Sequence, residues 1–469
     1  MDANLAENQF DNVLRNFPFQ RIIGLKCPIF LLTIKEEKGL TLTKFDINEE
    51  SARRLDAKDP LSSFRRRFYV QRETIYVDGN SLGLLSRDSE RSVLRCLEEW
   101  LKLGVRGWLE AKRPWFYFAE DLGAKCSKLV GARADEVMLT GTTTINIHQL
   151  VHTFYKPEKR RTKILADKLT FPTDIYALRS ILKLRGQDPD SDLVFAPTTS
   201  NRYLDEDGII DMMTDETALV FLPSVLYRSG QLLDMERLTK EAHKKGIPIG
   251  FDCSHSVGVV PHHFDKWKLD FALWCSYKYL NGGPGSSAFL YLNKWHFNLE
   301  PALAGWFGYV KDKQFDLAVE FEHSKTAGGW QVSSPSILSS ATLEGSLELI
   351  LKAGINKVRK KSLKMTSYLM YLVDQELSRV PYNFSIGTPR EAERKGGHVA
   401  VEHRDALRIS EALRARGVIV DFRPPNVIRI APTPLYNSYI EIWSIVQHLK
   451  AIVDGREHEK ISKTRKAIS

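Results

Sequence analysis

One stretch of the chain concentrates residues that could do chemistry: Asp252, His255, Tyr277 and Lys278, with a glycine-rich turn after them. A lysine amine can bond covalently to an aldehyde, and a carboxylate can keep a nearby ring nitrogen protonated. Pyridoxal phosphate needs both groups, on opposite sides of one flat ring. Taken alone, Asp252 is better explained as a turn cap and Lys278 as a solvated lysine. The two together, beside an aromatic residue, favour the cofactor.

Short apolar runs lead into both residues. Ile247–Phe251 precedes Asp252, and Phe271–Cys275 lies just before Lys278, without polar alternation in either run. Such runs are typical of strands buried on both faces in parallel α/β sheets. Because ligands of open α/β folds bind at the carboxyl edge of the sheet, we expect the aspartate and the lysine to meet there.

Composition narrows the classes of protein. The chain has 469 residues, 43% of them hydrophobic, which predicts a large core and two or three domains. The net charge of +9 is dispersed, so nucleic acid is not expected as a partner. We expect no membrane partner either, since no apolar run approaches about 18 residues. Five scattered cysteines without metal-binding spacing predict a reducing cytoplasm and no metal site.

The segments FDCSHSVG (251–258) and WCSYKYLNGGPG (274–285) closely resemble kynureninase, a family of fold-type-I pyridoxal phosphate enzymes. The resemblance begins near Asp59 and ends near residue 453. It implies an α/β fold of the aspartate aminotransferase type, with a large, mostly parallel-sheet domain and a small α+β C-terminal domain. The expected divisions are an N-terminal extension without assigned function (1–50), an N-terminal segment (51–110), the cofactor domain (111–340) and the small domain (341–469).

The resemblance also implies a reaction: hydrolysis of the Cβ–Cγ bond of L-kynurenine, or of its 3-hydroxy form, to an anthranilate and L-alanine. This reaction belongs to tryptophan catabolism or NAD biosynthesis, and the sequence does not choose between the two substrates or the two settings. The implied cofactor is pyridoxal 5'-phosphate, and the implied partner is a small amino acid substrate. A cytoplasmic homodimer with shared active sites is expected.

Two further motifs have a chemical interpretation of their own. GTTT (141–144) follows an apolar run, which predicts a strand, a turn and a helix whose N-terminus could bind phosphate. A plain helix cap explains it about equally well. Arg429 is an isolated cation in the strand VIRIA (427–431). It is either a solvent-exposed strand arginine or a residue that binds a substrate carboxylate through two hydrogen bonds. The resemblance favours phosphate binding by Thr143 and Thr144, and carboxylate binding by Arg429.

Other roles come from the resemblance alone. Lys278 is the covalent attachment point and base, Asp252 pairs with the ring nitrogen, and Tyr277 contacts the phosphate or moves protons. Phe171 stacks on the cofactor ring, and Trp306 contacts the cofactor phosphate of the neighbouring subunit. The remaining cofactor contacts are Asp174, His255 and Ser334. The remaining substrate contacts are Asn80, Ser81 and Trp108, with Tyr227 and Arg228 as weaker candidates. Ser334 and Trp108 depart from residues found in some family members, so selectivity toward the aromatic part stays open.

Periodicity predicts further elements. Apolar residues recur at helical spacing after the DGNSLG turn and are expected to face the core: Val93, Leu94, Leu97 and Leu101. A long amphipathic helix is expected from Ile355 onward. The segments HVAVEH (398–403), VIVDF (418–422) and VIRIA alternate with helix and predict the compact α+β region.

Three other functions are compatible with a fold of this type. A cysteine desulfurase or selenocysteine lyase shares the fold, but it needs a cysteine on a loop beyond the lysine, and no cysteine follows Cys275. An aminotransferase would need a 2-oxoacid and is separated by assay. A catalytically inactive binding protein would keep the fold without using Asp252 and Lys278.

Overall fold

The computed structural model describes residues 45–462 and Thr464, together with the backbone of strand residues 32–36 and 39–43. The chain forms two compact units, one ending at Lys44 and the other beginning at Phe45. The first unit contains one antiparallel strand pair. Most of the predicted N-terminal extension (1–50) lies outside the described residues.

The strands are numbered in chain order. They are β1 (Leu32–Glu36), β2 (Gly39–Thr43), β3 (Ile75–Tyr76), β4 (Val137–Leu139), β5 (Lys163–Ala166), β6 (Leu193–Phe195), β7 (Thr198–Thr199), β8 (Tyr203–Leu204), β9 (Thr217–Pro223), β10 (Ile249–Asp252), β11 (Phe271–Trp274), β12 (Phe289–Leu292), β13 (Ser385–Ile386), β14 (Val399–Glu402), β15 (Val418–Ile419), β16 (Asp421–Arg423) and β17 (Val427–Ile430).

The α-helices are numbered in the same way. They are α1 (Glu49–Ala57), α2 (Arg87–Leu103), α3 (Gly107–Glu110), α4 (Phe118–Val130), α5 (Thr143–Phe154), α6 (Pro172–Leu184), α7 (Pro189–Asp192), α8 (Glu206–Asp211), α9 (Met235–Lys244), α10 (Phe264–Trp267), α11 (Ile337–Ala353), α12 (Ile355–Glu376), α13 (Ala406–Ala415) and α14 (Tyr439–Asp454).

A seven-stranded sheet forms the centre of the second unit, in the order β4-β12-β11-β10-β9-β5-β6. All its neighbouring strands pair in parallel except β12, which runs antiparallel to β11 and β4. Strands β10 and β11 are buried throughout, as the apolar runs that lead into Asp252 and Lys278 predict, and β9 beside them is also buried. Because β10 and β11 are parallel neighbours, Asp252 at the end of β10 and Lys278 after β11 lie at one edge of the sheet, as expected.

A four-stranded antiparallel sheet, β13-β14-β17-β16, lies in the C-terminal region. Its strands β14 and β17 fall within predicted strand segments. The predicted single strand VIVDF (418–422) is instead divided between β15, which pairs with β3 outside this sheet, and β16, which extends to Arg423. The predicted long helix is α12, which packs against α14, and α13 packs against the same helix α14. The α+β character of this region is therefore confirmed.

The prediction that α2 turns its leucines to the core was wrong. Leu94, Leu97 and Leu101 are 58%, 41% and 84% exposed. Helix α2 instead packs against α11 through its small polar face, and a Cβ at Gly345 of α11 would lie 2.3 Å from the Asp88 carbonyl carbon. Since close approach of two helices favours small residues, the leucines are left on the outer face.

None of the helices in the described part of the chain is long and apolar enough to cross a membrane.

Candidate active site

A cavity of about 280 Å³ lies where β10 and β11 end. It is lined by residues from distant parts of the chain: Asn80, Ser81, Thr143, Thr144, Phe171, Thr173, Tyr227, Asp252, Ser254, His255, Tyr277, Lys278, Arg423 and Arg429. Most of the predicted site residues therefore share one space, although no role is established by position alone.

The centre of this cavity holds a lysine, an aspartate and a histidine. Lys278 Nζ lies 3.0 Å from His255 Nε2. Burial, together with the positive charge of Lys278, holds the pKa of His255 well below its usual range. The imidazole is therefore neutral, and its Nε2 lies within hydrogen-bond distance of the Lys278 side chain. Burial raises the pKa of Asp252, Lys278 opposes that rise, and the Ser254 backbone N–H donates to Asp252 Oδ1 at 2.7 Å.

The N-terminus of α5 borders one side of the cavity. Gly141 makes the turn from β4 with φ = +55°, a conformation that favours glycine, and Thr142 caps the helix. Thr143 and Thr144 are the first two helical residues, and Thr144 Oγ1 lies 2.9 Å from Thr173 Oγ1. Free backbone N–H groups, the positive dipole end and three hydroxyls form a place suited to a phosphate.

Helix α6 contributes an aromatic ring and a buried acid. Phe171 precedes Pro172, the first helical residue, and its ring stands edge-to-face with Tyr227 at 5.5 Å. Asp174 does not line the cavity but lies buried in the same helix, where it accepts a 2.6 Å hydrogen bond from the Thr170 hydroxyl. Burial and the neighbouring Asp252 raise the pKa of Asp174 well above its usual range.

The opposite end of the cavity is cationic. Arg429 on β17 is 1% exposed and donates to the Tyr227 carbonyl oxygen and the Ser81 hydroxyl, each at 2.9 Å, and also to Asp421. Asn80 is fully buried beside it. Arg429 is therefore not an exposed strand arginine but a buried one that lines the cavity, and its role as a carboxylate clamp stays a prediction.

Besides Asp174, three predicted residues do not line this cavity within one chain. Trp306 is half exposed and packs edge-to-face on Phe307 and Phe315. Ser334 is exposed. Trp108 lies in a separate cleft of about 700 Å³. Their expected roles stay predictions.

Of the two weaker candidates for substrate contacts, Tyr227 and Arg228, only the first lines the cavity. Arg228 points to Asn426 instead, with Nη2 donating to Oδ1 at 3.0 Å.

Sequence reasoning missed three lining residues: Thr173, Ser254 and Arg423. The sequence did contain a signal for Arg423. Asp421 and Arg423 are two residues apart on a strand, so their side chains lie on the same face and can form an ion pair. What the sequence could not show is the register, which places Asp421 directly opposite Arg429.

Several buried polar atoms have no hydrogen-bond partner among the described residues. Those in or beside the cavity include both side-chain atoms of Asn80, Asp174 Oδ1, His255 Nδ1 and Arg429 Nε. Buried polar groups normally find partners, so unpaired atoms around a cavity indicate a ligand or water. An amine, a carboxylate and a helix N-terminus match the aldehyde, ring nitrogen and phosphate of pyridoxal phosphate, so the residues present fit that cofactor.

Solved structures share this fold. A cysteine desulfurase from Thermococcus onnurineus NA1 aligns with a TM-score of 0.72 at 18% identity, covering 85% of this chain and 99% of its own. A lysine-to-alanine variant of C-DES, with glycine covalently linked to its pyridoxal phosphate, aligns with a TM-score of 0.70 at 15% identity, covering 82% and 98%. At these identities the likeness concerns the fold alone. Fold and site together define a fold-type-I pyridoxal phosphate-dependent enzyme.

Sequence relatives give the family. The kynureninase C-terminal domain model matches residues 358–449. The kynureninase of Geobacillus thermodenitrificans is 52% identical over 420 residues, covering 90% of this chain and 98% of the relative. A kynureninase of Bacillus cereus is 51% identical over 425 residues, covering 91% and 99%. The chain belongs to the kynureninase family and is a pyridoxal phosphate-dependent hydrolase acting on carbon–carbon bonds.

Proposed function

We propose that the protein hydrolyses L-kynurenine, or its 3-hydroxy form, to an anthranilate and L-alanine, using the residues of the cavity described above. One observation carries the proposal: Lys278, Asp252 and Arg429 line the same cavity, so an amine, an anion and a carboxylate-binding cation face one bound amino acid. High identity to kynureninases supports the substrate class.

Pyridoxal phosphate, when bound, supplies an electron-withdrawing ring that stabilises negative charge at the substrate Cα. In our proposal Thr143 and Thr144 hold its phosphate at the start of α5, and Tyr277 adds a hydroxyl contact there. Asp252 would accept a hydrogen bond from the protonated ring nitrogen, and the buried carboxyl of Asp174 interacts electrostatically with Asp252. Phe171 offers its ring face for stacking.

The side chains then act on the substrate. Arg429 binds the α-carboxylate, with Asn80 and Ser81 beside it, and this fixes the direction of the Cα–H bond. The Lys278 amine removes the proton from Cα and can return it, because it sits on a flexible side chain in the middle of the cavity. His255 is neutral next to Lys278, so it accepts a hydrogen bond without adding a second positive charge. Water adds at the γ-carbonyl carbon, and the Cβ–Cγ bond breaks with its electron pair passing to Cβ. Cβ then takes up a proton that comes from the water, and the γ-carbon leaves as the carboxyl group of the anthranilate.

We also propose a homodimer with shared active sites. The outer face of α2 carries Leu94, Leu97 and Leu101, and exposed apolar residues continue beyond it at Val105 and Leu109. Apolar residues clustered in this way are typical of protein–protein interfaces. Trp108, Ser334 and Trp306 would act across that interface, on the site of the partner subunit.

We keep two expectations as proposals. The divisions at residues 51–110, 111–340 and 341–469 would separate the N-terminal segment, the cofactor domain and the small domain. A cytoplasmic location is supported by the unpaired state of the described cysteines, Cys96, Cys126, Cys253 and Cys275.

The test uses purified protein supplied with pyridoxal phosphate. We expect release of L-alanine with anthranilate from L-kynurenine, or with 3-hydroxyanthranilate from the hydroxylated substrate, without a 2-oxoacid. Lys278→Ala should abolish turnover and change the visible absorbance of the bound cofactor, because the attachment amine is lost. Lys266→Ala, at an exposed lysine of α10, is the matched control and should behave as wild type. Transfer that depends on a 2-oxoacid, or an active Lys278→Ala variant, would contradict the proposal.

A further inference from the structure

The hydrogen bonds that Arg429 already makes do not leave it a free pair of N–H groups for bidentate binding of a carboxylate. A guanidinium has five N–H groups, and both of its paired, bidentate faces include Nη2. Here the two hydrogens of Nη2 are taken by the Ser81 hydroxyl and by Asp421 Oδ2. One hydrogen of Nη1 goes to the Tyr227 carbonyl oxygen. What remains are Nε–H and one Nη1–H, which lie on different sides and cannot grip a carboxylate as a pair.

A second guanidinium stands beside it. Arg423 Nε donates to Asp421 Oδ2 at 3.0 Å, and its Nη2 lies 2.8 Å from the same oxygen. Its Nη1 donates to no other described residue, and the side chain is 25% exposed and lines the cavity. Both arginines therefore touch one carboxylate oxygen, which holds them next to each other and leaves free N–H groups on each.

The charges agree with this arrangement. Asp421 is 3% exposed and compensates for one of the two guanidinium groups that it contacts. Asp78 lies nearby, and burial raises its pKa to about 6. When Asp78 is protonated, the two guanidinium groups and Asp421 together keep one positive charge, which equals the charge of a single α-carboxylate. A buried charge is stable when it is paired, so an anion entering here would complete the cluster.

We propose that Arg423 is a second carboxylate-binding residue of the substrate site, and that Asp421 is the positioning residue that holds Arg423 and Arg429 together. The α-carboxylate then receives hydrogen bonds from both guanidinium groups rather than a fork from Arg429 alone. This inference rests on the proposed function, because it takes an amino acid as the ligand.

The experiment compares two probes that differ in the carboxylate alone, L-alanine and L-alaninamide, by titration calorimetry of the cofactor-loaded enzyme. Arg423→Gln should weaken L-alanine binding about 10- to 100-fold, the range for hydrogen bonds to charged groups, and change L-alaninamide binding by less than about twofold. Arg423→Lys should recover part of the loss, since it keeps the charge and lacks the planar fork. The visible absorbance of the bound cofactor should stay as in wild type. Arg404→Gln, at an arginine whose side chain is 89% exposed, is the matched control.

Asp421 is tested by the same pair of probes. Asp421→Asn should reduce the preference for L-alanine over L-alaninamide and raise KM for L-kynurenine more than it lowers kcat. A residue needed for folding alone would instead weaken both probes and the cofactor.

The outcomes separate this assignment from the proposed reaction. Arg423→Gln that matches Arg404→Gln on L-alanine, or that loses both probes equally, overturns the role of Arg423. A wild-type enzyme that binds L-alanine through Arg423 but leaves L-kynurenine and 3-hydroxykynurenine intact contradicts the proposed reaction and supports the assignment. A wild-type enzyme that binds neither probe overturns both.

Discussion

Asp78 shows how strongly one residue's surroundings can change its chemistry. This carboxyl is buried near the proposed carboxylate site, and burial, with the negative charge of Asp421, raises its pKa to about 6. Arg429 and Arg423 oppose the rise, as does a hydrogen bond with Ser81. The neighbouring tyrosine hydroxyls have pKa values raised by burial and stay neutral: Tyr76, Tyr279 and Tyr436. Asp78 is therefore the group here that changes charge near pH 6.

We expect the charge of Asp78 to control carboxylate binding. Below about pH 6 the carboxyl is neutral; above it, the anion repels the incoming α-carboxylate, so L-alanine affinity should fall about tenfold between pH 5 and pH 8. Alaninamide, corrected for its own titration, should not follow that fall. Asp78→Asn should flatten the L-alanine profile, measured by calorimetry, while Asp211→Asn, at an exposed aspartate, should not. A profile unchanged by Asp78→Asn would show that another group titrates.

At the scale of elements, the carboxyl edge of the central sheet collects buried acids. Asp167 follows β5, Asp174 lies in the first turn of α6, and Asp252 ends β10. Each is almost fully buried, and burial raises the pKa of all three. Parallel strands that end together bring these carboxyls close to one another, an arrangement that suits a cationic ligand ring and costs stability at neutral pH.

Asp167 gives the clearest test of that cost. Burial raises its pKa to about 7 from an ordinary value of 3.8, so the folded state binds this proton more tightly than the unfolded state. Its contribution to stability is complete below about pH 4 and is lost as pH rises through about 7, by up to about 4 kcal/mol. Asp167→Asn should therefore unfold at a higher temperature than wild type at pH 8, with little gain at pH 4. Thermal unfolding at both values checks this, and an equal shift at both would point to packing instead.

At the scale of the whole molecule, the cavity and the apolar outer face of α2 both support a homodimer with shared active sites. The cavity is lined by Lys278, the proposed attachment residue, and by Arg423 and Arg429, the proposed carboxylate-binding residues. Trp306, Ser334 and Trp108 lie outside its lining in the same chain. The exposed leucines of α2 give a reason for a second copy to bind. In a dimer with shared sites, the leucines of α2 would be buried between the subunits, and Trp306, Ser334 and Trp108 would contact the cavity of the partner subunit.

Subunit complementation tests that shared site. If Trp306 serves the partner's cofactor, Trp306→Ala should lose cofactor affinity, and mixing it with inactive Lys278→Ala should restore about a quarter of wild-type activity. Random pairing makes about half of the dimers mixed, each with one complete site. Trp295→Ala, at a tryptophan of similar exposure, should keep full activity by itself. Activity that does not recover in mixed samples, or a fully active monomer in sedimentation, would contradict the shared site.

The sequence alone determined the strands, the chemistry and the family resemblance. Apolar runs predicted β10 and β11, because a strand covered on both faces is apolar along most of its length. Asp252 at the end of β10 and Lys278 after β11 then specified a carboxylate and an amine at the same sheet edge. These properties depend on local residue order, which the sequence contains directly.

Tertiary structure decided what depends on partners distant in the chain. The leucines of α2 have core spacing, but the small residues on its other face allow α11 to approach closely, so the helix turned the leucines outward. Likewise, Asp421 and Arg423 look like ordinary strand residues until the register of β16 and β17 sets Asp421 opposite Arg429. Periodicity states which residues share a face, whereas packing decides what that face meets.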